Sequence, residues 1–392
     1  MGFPMACGYS KVIMDKYDIA IVGGGPAGST AALYLYDLGF NVCLIEKKNF
    51  PREILCGEFL SREVIDTLKN LNFFDGFLKL NPNPITKFKL YNDNNSFFEA
   101  KLKFSAYGIK RGIFDNFLLD VVKKKGVAVL QPVEVKEIIH SKEFITLVVN
   151  NDQSSQTIVC NKVIAAYGKQ NILDKKLNRN FVTKKSFLNG VKFHVDESLF
   201  NVLEKDAIQI FAAKGIYCGI NSVDENIATV CFLENRQMTQ NNPRDQIKTL
   251  MDGNKNFELI FANGFINSVN DLPVYGTGNI FLGKRELVKN GIYFIGDSSA
   301  VIAPLAGDGI GMAMQSAKLI SKTFDKQRSD ELDDFQTELF YKREWGRLFR
   351  KRILIAKLIQ NIIMNNYFRR IGYSIIKTFP GLLESIITAT RG

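Results

Sequence analysis

The chain has 392 residues, 46% hydrophobic and 23% charged, with a formal net charge of +11. That composition suits a globular protein large enough for two domains with separate cores and excludes a disordered or low-complexity chain. Its six cysteines are scattered without a CxxC pair, which argues against a disulfide framework or zinc site and fits a reducing cytosol. No apolar run of about 18 residues occurs, so no membrane span is expected. Residues 1–16 lack the charged start and long apolar core of a signal peptide and are expected to be a disordered lead-in.

Residues 17–22 (YDIAIV) form a short, β-rich apolar run, as a buried parallel strand should. It enters Gly23-Gly24-Gly25-Pro26-Ala27-Gly28, then a helical stretch ending at Gly39, then a second strand at 41–45 closed by Glu46. The pattern fits a dinucleotide site. Gly23 permits the tight turn, Gly25 lets backbone approach a pyrophosphate, and Gly28 lets helix and strand pack closely. The helix N-terminus over Pro26 and Ala27 offers free N–H groups to the phosphates. Glu46, 18 residues past Gly28, can accept from ribose hydroxyls and disfavours a 2′-phosphate, so FAD or NAD is expected and NADP is not. Lys47 beside it is a further candidate contact.

Further along, residues 85–104 read as a hairpin turning at 92–95, 112–125 as a helix with a Lys-rich end, and 127–130 as another buried strand. Residues 133–165 suggest a β-meander, and 187–234 an antiparallel sheet whose Ile208, Ile210, Tyr217, Ile220 and Phe232 are candidates to line a substrate cavity. The two histidines, His140 and His194, fall in strand-like stretches and are expected to be structural. Residues 291–295 read as a strand ending in Gly296-Asp297. The loop Ala303-Pro304-Leu305-Ala306-Gly307-Asp308-Gly309-Ile310-Gly311 then leads into a helix. From Lys342 to the end there are eleven Lys/Arg and two Glu, so the positive charge belongs mostly to a helical tail. Such a tail could lie on an anionic membrane or pack on the nucleotide domain with its charges in water. No nucleic-acid module is recognisable.

GGGPAG, the Gly-Asp pair at 296–297 and the PLAGDGIG loop together resemble the flavoprotein class of p-hydroxybenzoate-hydroxylase-type monooxygenases, flavin halogenases and geranylgeranyl reductases. The resemblance covers roughly residues 17–325. It implies non-covalent FAD, with Asp297 on the ribityl chain, Pro304, Gly307, Gly309 and Ile310 at the flavin edge, and Arg111 and Gly168 as further contacts. The stretch Pro51-Arg52-Glu53-Ile54-Leu55-Cys56-Gly57-Glu58 resembles the Cys-Gly loop of the geranylgeranyl reductase branch, placing Arg52, Cys56 and Gly57 near the cofactor. Tyr167, Asn171 and Asp174 stand where the hydroxylases carry Asp, Ser and Arg, which puts standard nicotinamide-driven hydroxylation in doubt. The single tryptophan, Trp345, lacks the paired-tryptophan pattern of the halogenases, so halogenation is set aside.

The expected architecture is α/β. A discontinuous Rossmann-type FAD-binding domain (17–84, 105–176, 276–330) joins an antiparallel substrate domain (85–104, 177–275) and a basic helical C-terminal segment (331–392). The leading expectation is an FAD-dependent oxidoreductase moving hydride to or from a hydrophobic small molecule, with Cys56 and Tyr217 as catalytic candidates. Electrons would come from NAD(P)H or another external reductant, docked transiently because no second complete fingerprint exists. The rivals are monooxygenation through an oxygen adduct at flavin C4a and a non-catalytic flavin-binding protein. The expected location is cytoplasmic, with the tail able to reach a membrane surface.

Overall fold

The computed structural model describes residues 16–92, 96–151, 154–239, 242 and 244–391. The expected lead-in, apart from Lys16, and positions 93–95 of the expected hairpin turn lie outside these residues. In chain order the strands of the two large sheets are β1 (Lys16–Val22), β2 (Val42–Ile45), β3 (Phe59–Leu60), β4 (Asn83–Tyr91), β5 (Phe97–Gly108), β6 (Ala128–Leu130), β7 (Glu134–His140) and β8 (Ile145–Asn150). They continue with β9 (Ser155–Ala165), β10 (Leu188–Asp196), β11 (Ala207–Ala213), β12 (Ile216–Ser222), β13 (Ile227–Asn235), β14 (Tyr275–Thr277), β15 (Val288–Lys289) and β16 (Ile292–Phe294). The helices used below are α1 (Pro26–Asp37), α2 (Arg62–Asn70), α3 (Arg111–Lys125), α4 (Gly309–Ser329), α5 (Asp334–Met364), α6 (Asn366–Thr378) and α7 (Gly381–Ala389).

The first sheet runs β15-β16-β9-β1-β2-β6, parallel from β16 to β6, with the β7–β8 pair added antiparallel along β9. Both faces of β1 are covered, which explains its unbroken apolar run. Ile19 and Ile21 pack under α1, α4 and α5, while Ala20 and Val22 pack against Val135, Leu147 and Val149 of the meander.

The second sheet runs β14-β10-β13-β12-β11-β4-β5-β3 and is largely antiparallel, β11 pairing parallel with β4. One face is closed by Phe193, Phe211 and Phe232 against the helical residues Leu250, Phe257 and Phe265. The other carries Leu90, Ile210, Tyr217 and Leu233 against the C-terminal helices. This sheet takes more chain than expected. It includes Phe59–Leu60 and residues 83–84, 105–108 and 276–277, because β5 continues straight through the expected boundary to pair Gly108 with Phe59 and β14 pairs with β10.

The tail joins the two sheets. A capping box of Asp333 and Gln336 starts α5. Tyr341, Trp345 and Phe349 then bury into the first core, and Ile363 and Met364 into the second. Among the described residues no helix is long and apolar enough to cross a membrane.

Candidate active site

Between the two sheets lies a cavity of about 740 Å³. At one end the chain leaves β1 at Gly23, whose φ of +110° suits glycine and whose added Cβ would meet Ala166 O at 2.6 Å. Gly23, Gly25, Pro26 and Ala27 line the cavity. Gly25 precedes α1 with no side-chain cap, so the first amides of the helix stay free for an anion. A Cβ on Gly25 would point into open space, its nearest neighbour being Arg52 Nη2 at 3.9 Å. Gly28 does not reach the cavity: a Cβ there would sit 1.8 Å from Gly23 O, so its place is helix–strand packing.

Glu46 closes this end. Its carboxylate accepts from Gly24 N (2.7 Å) and Lys48 N (2.8 Å), and Lys47 lines the cavity beside it. Arg52 stacks on Phe50, 4.6 Å from the ring centroid, and its buried Nε finds no partner among the described residues. An unsatisfied guanidinium donor beside a free helix N-terminus is what a bound pyrophosphate would complete.

At the far end Asp297, in the turn after β16, sits 3.5 Å from Lys169 Nζ. Pro304, Gly307, Gly309 and Ile310 also line the cavity. Gly307 has φ +61°, and α4 begins at Gly309 without a side-chain cap, presenting a second free helix N-terminus. Gly57 and Gly168 border the cavity too, and a Cβ on either would meet nothing within 4 Å. Two uncapped helix starts, glycines facing open space and an orphan arginine donor fit a dinucleotide cofactor. Gly25 to Ala27 would hold its phosphates, and Gly307 to Ile310 its redox ring.

Arg111, at the start of α3, lines the cavity. It is buried and bidentate to Asp115 (2.7 and 2.9 Å), beside Cys56. Cys56 is partly exposed to the cavity and accepts from Glu58 N at 3.3 Å. Tyr217 projects from β12 into the cavity wall with its hydroxyl 3.4 Å from Gln360 Oε1, and burial keeps its phenol well above the usual range. Ile208 and Ile210 line the wall as expected, but Ile220 does not. Strand alternation turns Cys218 and Ile220 to the far face, among Phe193 and Phe257. Phe232 borders the cavity while its ring stacks edge-on to Phe257 at 6.2 Å.

Tyr167, Asn171 and Asp174 are linked to one another and to Arg179. Tyr167 donates to Asp174 (2.7 Å), Asp174 accepts from Arg179 (2.9 Å), and Asp174 shares a capping box with Asn171.

One constellation has no counterpart in the sequence expectations. Glu58 is fully buried at φ +57°. One carboxylate oxygen accepts from Arg111 N (2.8 Å) and Lys192 Nζ (2.9 Å). The other contacts His194 Nε2 (2.6 Å) and the Thr229 hydroxyl. Burial pushes the Glu58 carboxyl up, but the His194 hydrogen bond, the charges of Lys192 and His194 and the Thr229 hydroxyl outweigh it and hold it down at about 2. Lys192 also bonds Glu53 at 2.6 Å. Here His194 contacts a buried carboxylate that pins the Cys56 loop to β10 and β13.

Residues 16–330 match the family model described as FAD binding domain. The chain is 25% identical over 365 residues to tryptophan 2-halogenase of Chondromyces crocatus, covering 89% of this chain and 69% of that protein. It is likewise 25% identical over 357 residues to digeranylgeranylglycerophospholipid reductase 1 of Methanosphaera stadtmanae, covering 84% and 82%. A geranylgeranyl bacteriochlorophyll reductase-like protein of Thermoplasma acidophilum shares the fold at a TM-score of 0.72 and 17% identity, covering 96% of this chain and 100% of that one.

Proposed function

Because the chain belongs to the FAD binding domain family of flavin-dependent enzymes, we propose that it moves hydride between its flavin and a hydrophobic small molecule, reducing a double bond or dehydrogenating. One observation carries this reading. The cavity adjoins a second, apolar chamber of about 230 Å³, and Phe59, Ile208, Leu305 and Gly307 line both. An apolar substrate would therefore have an apolar space beside the flavin-edge loop.

Bound FAD supplies the two-electron chemistry. The residues of the chain supply position and environment. The free amides at the start of α4 would stabilise negative charge on the ring edge. Arg111, fixed by Asp115, places a permanent positive charge behind Cys56. Ile208, Ile210 and Tyr217 exclude water from the reacting face, with the Tyr217 phenol kept neutral. Cys56 and Tyr217 stay the candidates to touch substrate. The electron donor, NAD(P)H or another external reductant, would dock transiently. Kinship with the Methanosphaera reductase supports reduction. Kinship with the Chondromyces halogenase is weighed against the lone Trp345, which is buried in the first core.

The test is anaerobic. The FAD-loaded, chemically reduced protein is mixed under argon with unsaturated isoprenoid and acyl compounds. The expected result is return of oxidised-flavin absorbance and a product heavier by two hydrogens. Product formed only after oxygen is admitted, carrying an added oxygen or, with halide present, a halogen, would refute the reading.

A further inference from the structure

The outer face of the C-terminal helices carries an apolar stripe that no described residue covers. Phe368, Ile371, Ile375, Phe379 and Leu382 recur three or four residues apart along α6 and into α7, and all are exposed. Phe379 is 64% exposed and neighbouring Tyr367 70%. Two side chains at the start of α6 sit where Asn365 caps the helix, accepting from Tyr367 N and Phe368 N, so the stripe stands on an anchored element. The inner face of the same helix, including Tyr373 and Ile376, is buried.

The charge around the stripe is mostly positive, and the one acid of α7, Glu384, is paired with Lys103 at 2.7 Å. Between Glu344 and Glu384 the chain carries eight Lys and Arg and no Asp or Glu. Arg350, Lys351, Lys357, Arg370 and Lys377 are exposed among them. A second copy of the chain meeting this face about a two-fold axis would oppose cation to cation. An anionic bilayer would satisfy both features, taking the apolar side chains into its interface and pairing its headgroups with the cations.

The chamber lies directly behind this stripe. Ile375 and Leu382 belong to both, since they line the chamber and are 43% and 36% exposed. Its inner end is formed by the residues shared with the cavity, Gly307 of the flavin-edge loop among them. The chamber thus runs from the outer apolar face towards the cofactor.

We propose that the outer face of α6 and α7 docks on an anionic lipid bilayer, and that the chamber behind it takes the hydrocarbon chain of an amphiphile resident there. Docking stands by itself. Uptake of the chain rests on the hydride-transfer reading and names its substrate class.

The experiment uses the full-length, FAD-loaded, oxidised protein, so that no turnover is involved. Sedimentation with vesicles of phosphatidylglycerol and phosphatidylcholine should carry the protein down, and vesicles of phosphatidylcholine alone should carry much less. The double variant Phe368→Ser/Phe379→Ser should keep its flavin and bind vesicles at least ten-fold more weakly. Gly372→Leu serves as the chamber variant: Gly372 lines the chamber, and a Cβ there meets only Ile362 Cγ2 at an ordinary 3.6 Å. It should keep flavin and vesicle binding but lose fluorescence enhancement of cis-parinaric acid.

Docking is overturned if the protein stays in the supernatant with the anionic vesicles, or if the double variant binds as well as the parent. It is also overturned if light scattering shows a dimer that the double variant abolishes. Undiminished probe uptake by Gly372→Leu overturns the role of the chamber. Intact docking and uptake with no anaerobic turnover would instead count against the hydride-transfer reading.

Discussion

Arg352, in the middle of α5, donates to the buried carboxylate of Asp308, the residue immediately before α4 and part of the flavin-edge loop. The same guanidinium donates to Gln315 at 2.6 Å, and Asp308 also accepts from Ser61 at 3.3 Å. The C-terminal helix is thereby tied to the loop that would hold the redox ring, so the tail is part of the architecture of the site.

Arg352→Leu should leave Asp308 as a buried charge without its main partner. The expected cost is about 3–5 kcal/mol. It should appear as a lowered thermal midpoint and as faster release of FAD on dilution. A variant with unchanged melting and unchanged flavin retention would show that the tail is not coupled to the site.

Glu58→Gln tests the buried cluster through pH. The folded carboxyl is held near 2 against an ordinary 4.5. A depressed carboxylate contributes stability that is complete above its unfolded value and is lost as pH falls through its folded value. That shift corresponds to about 3 kcal/mol. The variant should be less stable by about this amount at pH 7, with the gap closing between pH 4.5 and 2, as read by denaturant melts at several pH values. A gap independent of pH would contradict the assignment.

Gly28→Ala should damage the fold itself, because its Cβ would lie 1.8 Å from Gly23 O and neither backbone segment can yield. A loss of about 4 kcal/mol or more is expected, measured by urea unfolding of the flavin-free protein. Wild-type stability would mean that α1 does not pack on the β1 turn as described.

Cys56 should be the readily alkylated thiol among the described cysteines. Cys43, Cys160 and Cys218 are buried, and Cys231, although partly exposed, has its thiol pushed up to about 12 by burial and by neighbouring Cys56. Peptide mapping after mild iodoacetamide treatment should find Cys56 modified in the flavin-free protein and protected by FAD. Equal labelling with and without FAD would remove Cys56 from the cofactor wall.

The parts of the site legible in the sequence are those built by short stretches of chain. Gly23, Gly25, Gly28 and Glu46 act within one strand–helix–strand unit, so their spacing carries the geometry. Asp297 and Gly307 are likewise confined to one turn and one loop. What was not legible arises where distant segments meet. Glu58 joins Lys192, His194 and Thr229, more than 130 residues away, and no local pattern marks a buried carboxylate that needs them. Ile220 was misplaced because facing depends on strand register, and Tyr217, Gly219 and Asn221 take the cavity side. The chamber exists only because α5 to α7 fold back over the second sheet, which the helical period of the tail does not specify.

The hydride-transfer reading depends on the cavity between the two sheets being the FAD site, and Gly25 tests that most directly. Its Cβ points into open cavity, with nothing nearer than Arg52 Nη2 at 3.9 Å, so Gly25→Val should fold normally while obstructing the phosphates. Fluorescence titration of FAD into flavin-free protein should show one equivalent bound by the parent and binding weakened at least a hundred-fold in Gly25→Val, with both unfolding at the same urea concentration. Equal FAD affinity in a correctly folded Gly25→Val would place the flavin elsewhere and contradict the account.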